Sequence, residues 1–159
     1  MPWSAPSTYN SQGNTGYLAQ IELGTYASPP SYTATVNVRA LTVSEFGSVP
    51  NVDVSTLLSP NNTKEIFGGM ANPGTIEIDG VFTADTTQIQ LYTWLKGSGT
   101  GPTILSWEIV SPILQYTKTY TASGVGFISK FSVGPFELDK AIDFKATIQI
   151  TGQVNESIA

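Results

Sequence analysis

Period-two alternation of apolar and polar residues dominates this chain. In "AIDFKATIQIT" (141–151), Ile142, Phe144, Ala146, Ile148 and Ile150 face one way and Asp143, Lys145, Thr147, Gln149 and Thr151 the other, the signature of a strand with one buried face. "YTATVNVRAL" (32–41) sets Tyr32, Ala34, Val36 and Val38 against Thr33, Thr35, Asn37 and Arg39. "TIEIDGVF" (75–82) sets Ile76, Ile78 and Phe82 against Thr75, Glu77 and Asp79. Further strands are predicted at "YLAQIEL" (17–23), "TILSWEIV" (103–110), "QYTKTYTA" (115–122), "VGFISKFSV" (125–133) and "FEL" (136–138).

One segment leaves this rhythm. "TADTTQIQLYTWLKG" places Asp85 as an N-cap with Gln88 three residues on, the spacing of a capping box. Leu91, Trp94 and Leu95 recur at helical spacing with Ile89 and Tyr92 beside them, Lys96 stands in the last turn, and Gly97 follows as a C′ glycine. The spacing predicts a single helix over 86–96. The pattern as a whole predicts a mainly β (α+β) fold, an antiparallel β-sandwich or open barrel with one flanking helix. It divides the chain into an N-terminal arm (1–16), one domain (17–153) and a short C-terminal tail (154–159).

Residues 47–73 fit neither period. Pro60, Gly68, Gly69 and "NPG" (72–74) punctuate the stretch, yet Val54, Leu57, Leu58, Ile66, Phe67 and Met70 are scattered through it. Loops of this length are uncommon in compact domains unless they have a task. Six such side chains left in water would forfeit on the order of 10 kcal/mol of burial free energy. Either the loop folds over its own domain or these side chains, with Trp3 of the arm, meet another chain. The second option suits a sequence whose strands also have edges needing cover.

Composition narrows the function. Apolar residues make up 40% of the 159 positions and charged residues only 12%, so Ser, Thr, Asn, Gln and Gly must build the polar surface. The net charge is −5 and Arg39 is the lone arginine, which argues against a nucleic-acid grip that relies on basic side chains. With no cysteine, disulfides are excluded. The start carries no basic and apolar signal pattern, and no apolar run approaches the ~20 residues of a membrane span, so a soluble protein made in a cytosol is expected.

The chemistry of catalysis is thin. Without histidine or cysteine, the usual general base, thiol nucleophile and most zinc sites are missing, so no enzyme activity and no cofactor or metal is expected. Glu77 and Asp79, two apart on one strand face, are the best carboxylate pair for glycosidase work, but acidic residues on an exposed strand face are ordinary. "GSGTG" (97–101) follows a helix instead of preceding one and lacks the Lys-Ser/Thr of a phosphate loop. Asp53 and Asp139 lack the spacing of a calcium loop. The tryptophans and tyrosines leave a carbohydrate-binding β-sandwich as an alternative function, against the plainer reading that Trp94 and Trp107 are core.

The order of segments carries a resemblance. "NVDVSTL", a long loop ending "GGMANPGTIEIDGVF", the capped helix "DTTQIQLYTWLKGSG", then "ILSWEIVSP", "YTASGVGFISKFSV" and "AIDFKATIQITGQV" together resemble the major tail tube proteins of long-tailed, non-contractile (siphovirus-type) bacteriophages, over roughly residues 32 to 153. The resemblance implies a structural virion protein of the phage tail, assembled in the host cytoplasm. It implies homohexameric rings stacked into a hollow tube, with the tape measure protein, tail tip and terminator proteins as partners and DNA only as transiting cargo at genome ejection. The same fold serves type VI secretion tubes. Within that frame Val54, Leu57, Leu58, Ile66, Phe67, Met70 and Trp3 are candidates for subunit or ring-stacking contacts. Glu77, Asp79, Asp143 and Gln149 are candidates for facing the lumen.

Overall fold

The computed structural model describes residues 19–44, 46–55, 64–69, 71–113 and 116–159. Nine strands and one helix follow in chain order: β1 (Gln20–Thr25), β2 (Ala34–Val36), β3 (Ala40–Ser44), β4 (Asn51–Asp53), β5 (Ile66–Gly68), β6 (Thr75–Val81), α1 (Thr86–Lys96), β7 (Ile104–Ile113), β8 (Lys118–Val133) and β9 (Asp143–Ile158). Seven strands make one antiparallel sheet in the order β2-β1-β7-β8-β9-β6-β3, and β4 and β5 pair separately.

The sheet order forces a curl. β2 and β3 occupy opposite edges, yet only Asn37–Arg39 separates them in sequence. Four Cα steps span at most about 14 Å. The edges of a flat seven-stranded sheet lie six spacings, roughly 29 Å, apart. The sheet is therefore rolled into a half-barrel strapped across its mouth by the β2–β3 connection. Of the two predicted architectures, the open barrel with a flanking helix is the one formed.

This corrects the reading of 32–41 as one strand. The alternation is real, with Val36 buried, Ala34 and Val38 packed against the core, and Thr33, Thr35, Asn37 and Arg39 exposed. Pairing breaks at Asn37 because the chain must change edges there. Conversely, 115–122 and 125–133 do not form two strands, since β8 runs unbroken from Lys118 to Val133. A register shift between Ile128 and Lys130 lets Ile128 and Phe131 both face the core although they are three apart. "FEL" (136–138) is not a strand: it lies in the β8–β9 connection, with Phe136 and Leu138 exposed and without partners in the sheet. β9 runs on to Ile158, through residues that the pattern left outside the sheet.

The half-barrel interior is the core, with Ile21, Leu23, Ile76, Ile78, Leu105, Trp107, Ile128, Phe144, Ile148 and Ile150 all buried. α1 covers the opening, inserting Leu91 and Trp94 and packing chiefly on β8. Its outer side leaves Ile89 and Tyr92 exposed, with Lys96 Nζ 4.8 Å from the centre of the Tyr92 ring. The helix starts as predicted: the Gln88 N–H donates to Asp85 Oδ1 at 2.8 Å. The reciprocal half of the capping box is displaced, because Gln88 Oε1 accepts from the N–H groups of Thr83 (2.9 Å) and Ala84 (3.0 Å) while its Nε2 donates to the Val81 carbonyl at 2.8 Å. One buried amide thus welds the helix start to the end of β6.

Candidate assembly surfaces

The stretch 47–73 contains a projecting ribbon. β4 and β5 pair in the register Asn51↔Gly68, Val52↔Phe67 and Asp53↔Ile66. Ser48 and Asn72 bridge its base with reciprocal backbone bonds of 3.0 and 2.8 Å. Farther out, the Val54 N–H donates to the Glu65 carbonyl at 3.0 Å, and Lys64 Nζ stands 3.1 Å from Asp53 Oδ2. Hydrogen bonds from Ser55, together with Lys64, hold the Asp53 carboxyl below its usual pKa. Among the described residues, hydrogen bonds and an ion pair close the ribbon, while its apolar side chains stand exposed. Val54, Ile66 (50%) and Phe67 (66%) are exposed, as are Val49 and Val52, two residues that sequence reasoning missed. A lone two-stranded ribbon is marginally stable in water at best, so this one calls for a partner surface. The other candidates of this group, Leu57, Leu58, Met70 and Trp3, lie outside the described residues.

On β6 and β9 the face turned away from the core is largely polar. The structure brings Glu77, Asp79, Asp143 and Gln149 together there, on the adjacent strands β6 and β9. Glu77 lies between Thr42 and Thr147, and Asp79 between Ala40 and Lys145. Arg39 of the strap reaches over this face: its Nη2 stands 3.0 Å from Asp79 Oδ1 and 3.2 Å from Asp143 Oδ1. The Gln149 amide donates to the Gly74 carbonyl at 3.0 Å. On β6, β9 and the adjoining part of β8, Arg39, Lys130 and Lys145 are set against Glu77, Asp79 and Asp143, while farther across the same face Glu22 and Glu108 pair on β1 and β7, so acidic groups outnumber basic ones on the face as a whole. The Glu77–Asp79 pair borders only a shallow depression of about 290 Å³ on this open face.

The remaining candidate chemistry resolves into structure. "GSGTG" is the turn from α1 to β7, in which Gly97 at φ 59° donates its N–H to Thr93 O at 3.0 Å. A Cβ at Gly97 would lie 1.8 Å from the Gly101 carbonyl oxygen, so the turn admits no side chain there. Trp94 and Trp107 are buried, and Phe46 stacks on Trp107 at 5.9 Å, so neither indole offers a sugar platform.

No family model matches the sequence, and no curated protein matches it closely. Among solved structures, a chain from the virion of a native gene transfer agent particle is similar over 91% of this chain and 99% of its own, at TM-score 0.61 and 17% identity. A chain of the tube-terminating cap of the anti-feeding prophage matches over 100% of both chains, at TM-score 0.68 and 13% identity. The chain has the tail-tube fold. A chain of the SPP1 tail tube shares it too, over 92% of this chain and 78% of its own, at TM-score 0.60 and 9% identity. At such identities the tail-tube fold is what is shared, and function must be argued from the surfaces.

Proposed function

We propose that this chain is a structural subunit of a hollow virion tail tube, of the long non-contractile type. Subunits associate as homohexameric rings, and the rings stack into a tube in the virion tail, assembled in the host cytoplasm. The tape measure protein fills the lumen during assembly, tip and terminator proteins close the ends, and DNA passes through at infection. The observation that carries this reading is the exposed ribbon of Val52, Val54, Ile66 and Phe67 on a tail-tube fold. Such a patch on a soluble protein marks an interaction surface. The polar face of β6 and β9 supports placing Glu77, Asp79, Asp143 and Gln149 toward the lumen, where Arg39 and Lys145 stand beside carboxylates and would give transiting DNA little to adhere to.

A terminator of such a tube is the second reading, favoured by the match over the whole of both chains to the anti-feeding prophage cap. Negative-stain electron microscopy of the purified protein over a concentration series, with mass from light scattering, tests both. Hollow tubes of stacked rings are expected; single six-subunit rings that bind tube ends would instead establish the terminator. A monomer at every concentration, even when seeded with tail-tip complexes, would sink both.

A further inference from the structure

β6 is short, and the segments at its two ends are unlike the rest of the surface. Before Thr75, which pairs with Ser44 and Gln149, the chain forms the ribbon, whose base runs alongside Gly152 and Val154 of β9 and so away from Asp143. At the other end Val81 pairs with Asp143, and there residues 134–142 join β8 to β9. The Gly134 N–H donates to the Asp143 carbonyl at 2.8 Å and closes this loop at its base, while Lys140 pairs with Glu137 across it. The loop is held in shape, yet Phe136 is 73% and Leu138 91% exposed, and Val81 at the adjoining end of β6 is exposed as well. The core makes no use of these side chains.

Two apolar patches therefore stand at opposite ends of one molecule. The length of β6 separates their bases by roughly 20 Å, and both project outward from there, so they cannot cover each other within one copy. They are matched in extent, with the equivalent of roughly two whole side chains exposed at each end among the described residues. A contact between them buries a few hundred Å² per partner, against the ~800 Å² per partner of a stable pair. One such contact is too small to hold two molecules together, whereas several acting in parallel are not. A lone partner of another kind would gain only the single weak contact. Further copies of this chain bring the same end in the same orientation every time, and a patch that repeats on a different patch is the heterologous contact of an open stack. Each end also carries its own ion pair, Asp53–Lys64 and Glu137–Lys140, so the apolar surfaces can meet without stranding those charges.

We propose that the Phe136–Leu138 loop is the surface that receives the ribbon of a second copy of this chain, end to end. The inference rests on the tube reading and names the receiving side of its stacking contact. The absence of native cysteines allows a direct test on the full chain. Chains carrying Val52→Cys are mixed with chains carrying Leu138→Cys and oxidised, and the double variant V52C/L138C is oxidised alone. Both positions are exposed, so neither substitution disturbs the core. The expected result is mixed dimers from the first and a ladder of linked oligomers from the second, since within one copy the two sites lie well beyond the ~7 Å Cα separation that a disulfide can bridge. Without any cysteine, Leu138→Asp is expected to raise the critical concentration for assembly by about tenfold and to leave circular dichroism unchanged. Dimers formed as readily from either single variant alone would overturn the end-to-end contact. No link between copies in either sample, or assembly of L138D at the unsubstituted chain's concentration, would overturn the receiving loop. Microscopy of the same samples separates this from the tube reading: tubes without the cross-link sink the loop assignment alone, and a ladder without rings or tubes sinks the tube alone.

Discussion

Gln88 is 2% exposed and uses both ends of its amide on backbone groups, two N–H donors before the helix and one carbonyl at the end of β6. Replacing it with Leu keeps the bulk but takes the partner from three backbone groups on the exposed residues Val81, Thr83 and Ala84, which water can serve in part, so Gln88→Leu is expected to lower stability by about 1–2 kcal/mol in urea unfolding. Asp85→Ala removes one cap bond and is expected to cost about 1 kcal/mol. Tyr120 gives the pH dependence. Desolvation and then the Glu156 carboxylate push its hydroxyl up to about 12 from the ordinary 10.0. The neutral form is favoured in the fold, so the unfolded chain ionises first as pH rises, and stability falls between about pH 10 and 12. Tyr120→Phe is expected to flatten that part of the fall, read as melting temperature against pH; an unchanged profile would assign it to other groups. The capping spacing was legible at Asp85 and Gln88. The redirected Gln88 side chain was not, because its acceptor on β6 is brought there only by the tertiary fold.

At the scale of elements, the ribbon and the sheet behave oppositely. The sheet turns one face of its central strands into the core, whereas the described apolar side chains of the ribbon stand in water. Deleting residues 60–70, which removes β5, should leave a folded, soluble monomer that does not polymerise, as judged by circular dichroism and light scattering. Normal tubes from that deletion would remove the ribbon from the assembly mechanism. Period two located β6, β7 and β9 in the sequence because each has one core face along most of its length. It overran at "FEL", where two apolar residues around one acidic residue mimic a strand, although Phe136 and Leu138 find neither pairing nor cover. It split β8 at Ser123–Gly124, and kept Gly126 inside the second stretch. Both glycines are needed for close approach: a Cβ at Gly124 would meet the Trp107 ring at 2.9 Å, and one at Gly126 the Gln149 carbonyl oxygen at 2.6 Å. The ribbon went unseen since its strands are only three residues each, too short for any period to show.

For the whole molecule, charge and apolar surface point to different salt responses. Each chain carries −5 overall, so copies repel at long range, while the ribbon is uncharged apart from the Asp53–Lys64 pair and Glu65. If burial of the ribbon drives association, added salt screens the repulsion and leaves the attraction. The critical concentration for assembly is then expected to fall as NaCl rises from about 0.05 to 0.5 M, measured by light scattering. A rise would show that ion pairs across the interface dominate. The lone arginine contributes through placement more than through energy: Arg39 is 55% exposed, where solvent screens its pairs with Asp79 and Asp143.

The strap from β2 to β3 also governs timing. β3 must wait for β6, β6 for β9, and β1 for β7, so each pairing joins stretches of chain made far apart during synthesis. Such non-local pairing slows folding. While the chain is still emerging from the ribosome, β6 has no neighbour on its β9 side, and the half-barrel has no wall on which to close. The polar face depends on β9, so it does not exist on a nascent chain. On the tube reading, a chain of this topology is withheld from assembly by its own strand order until β9 has been made.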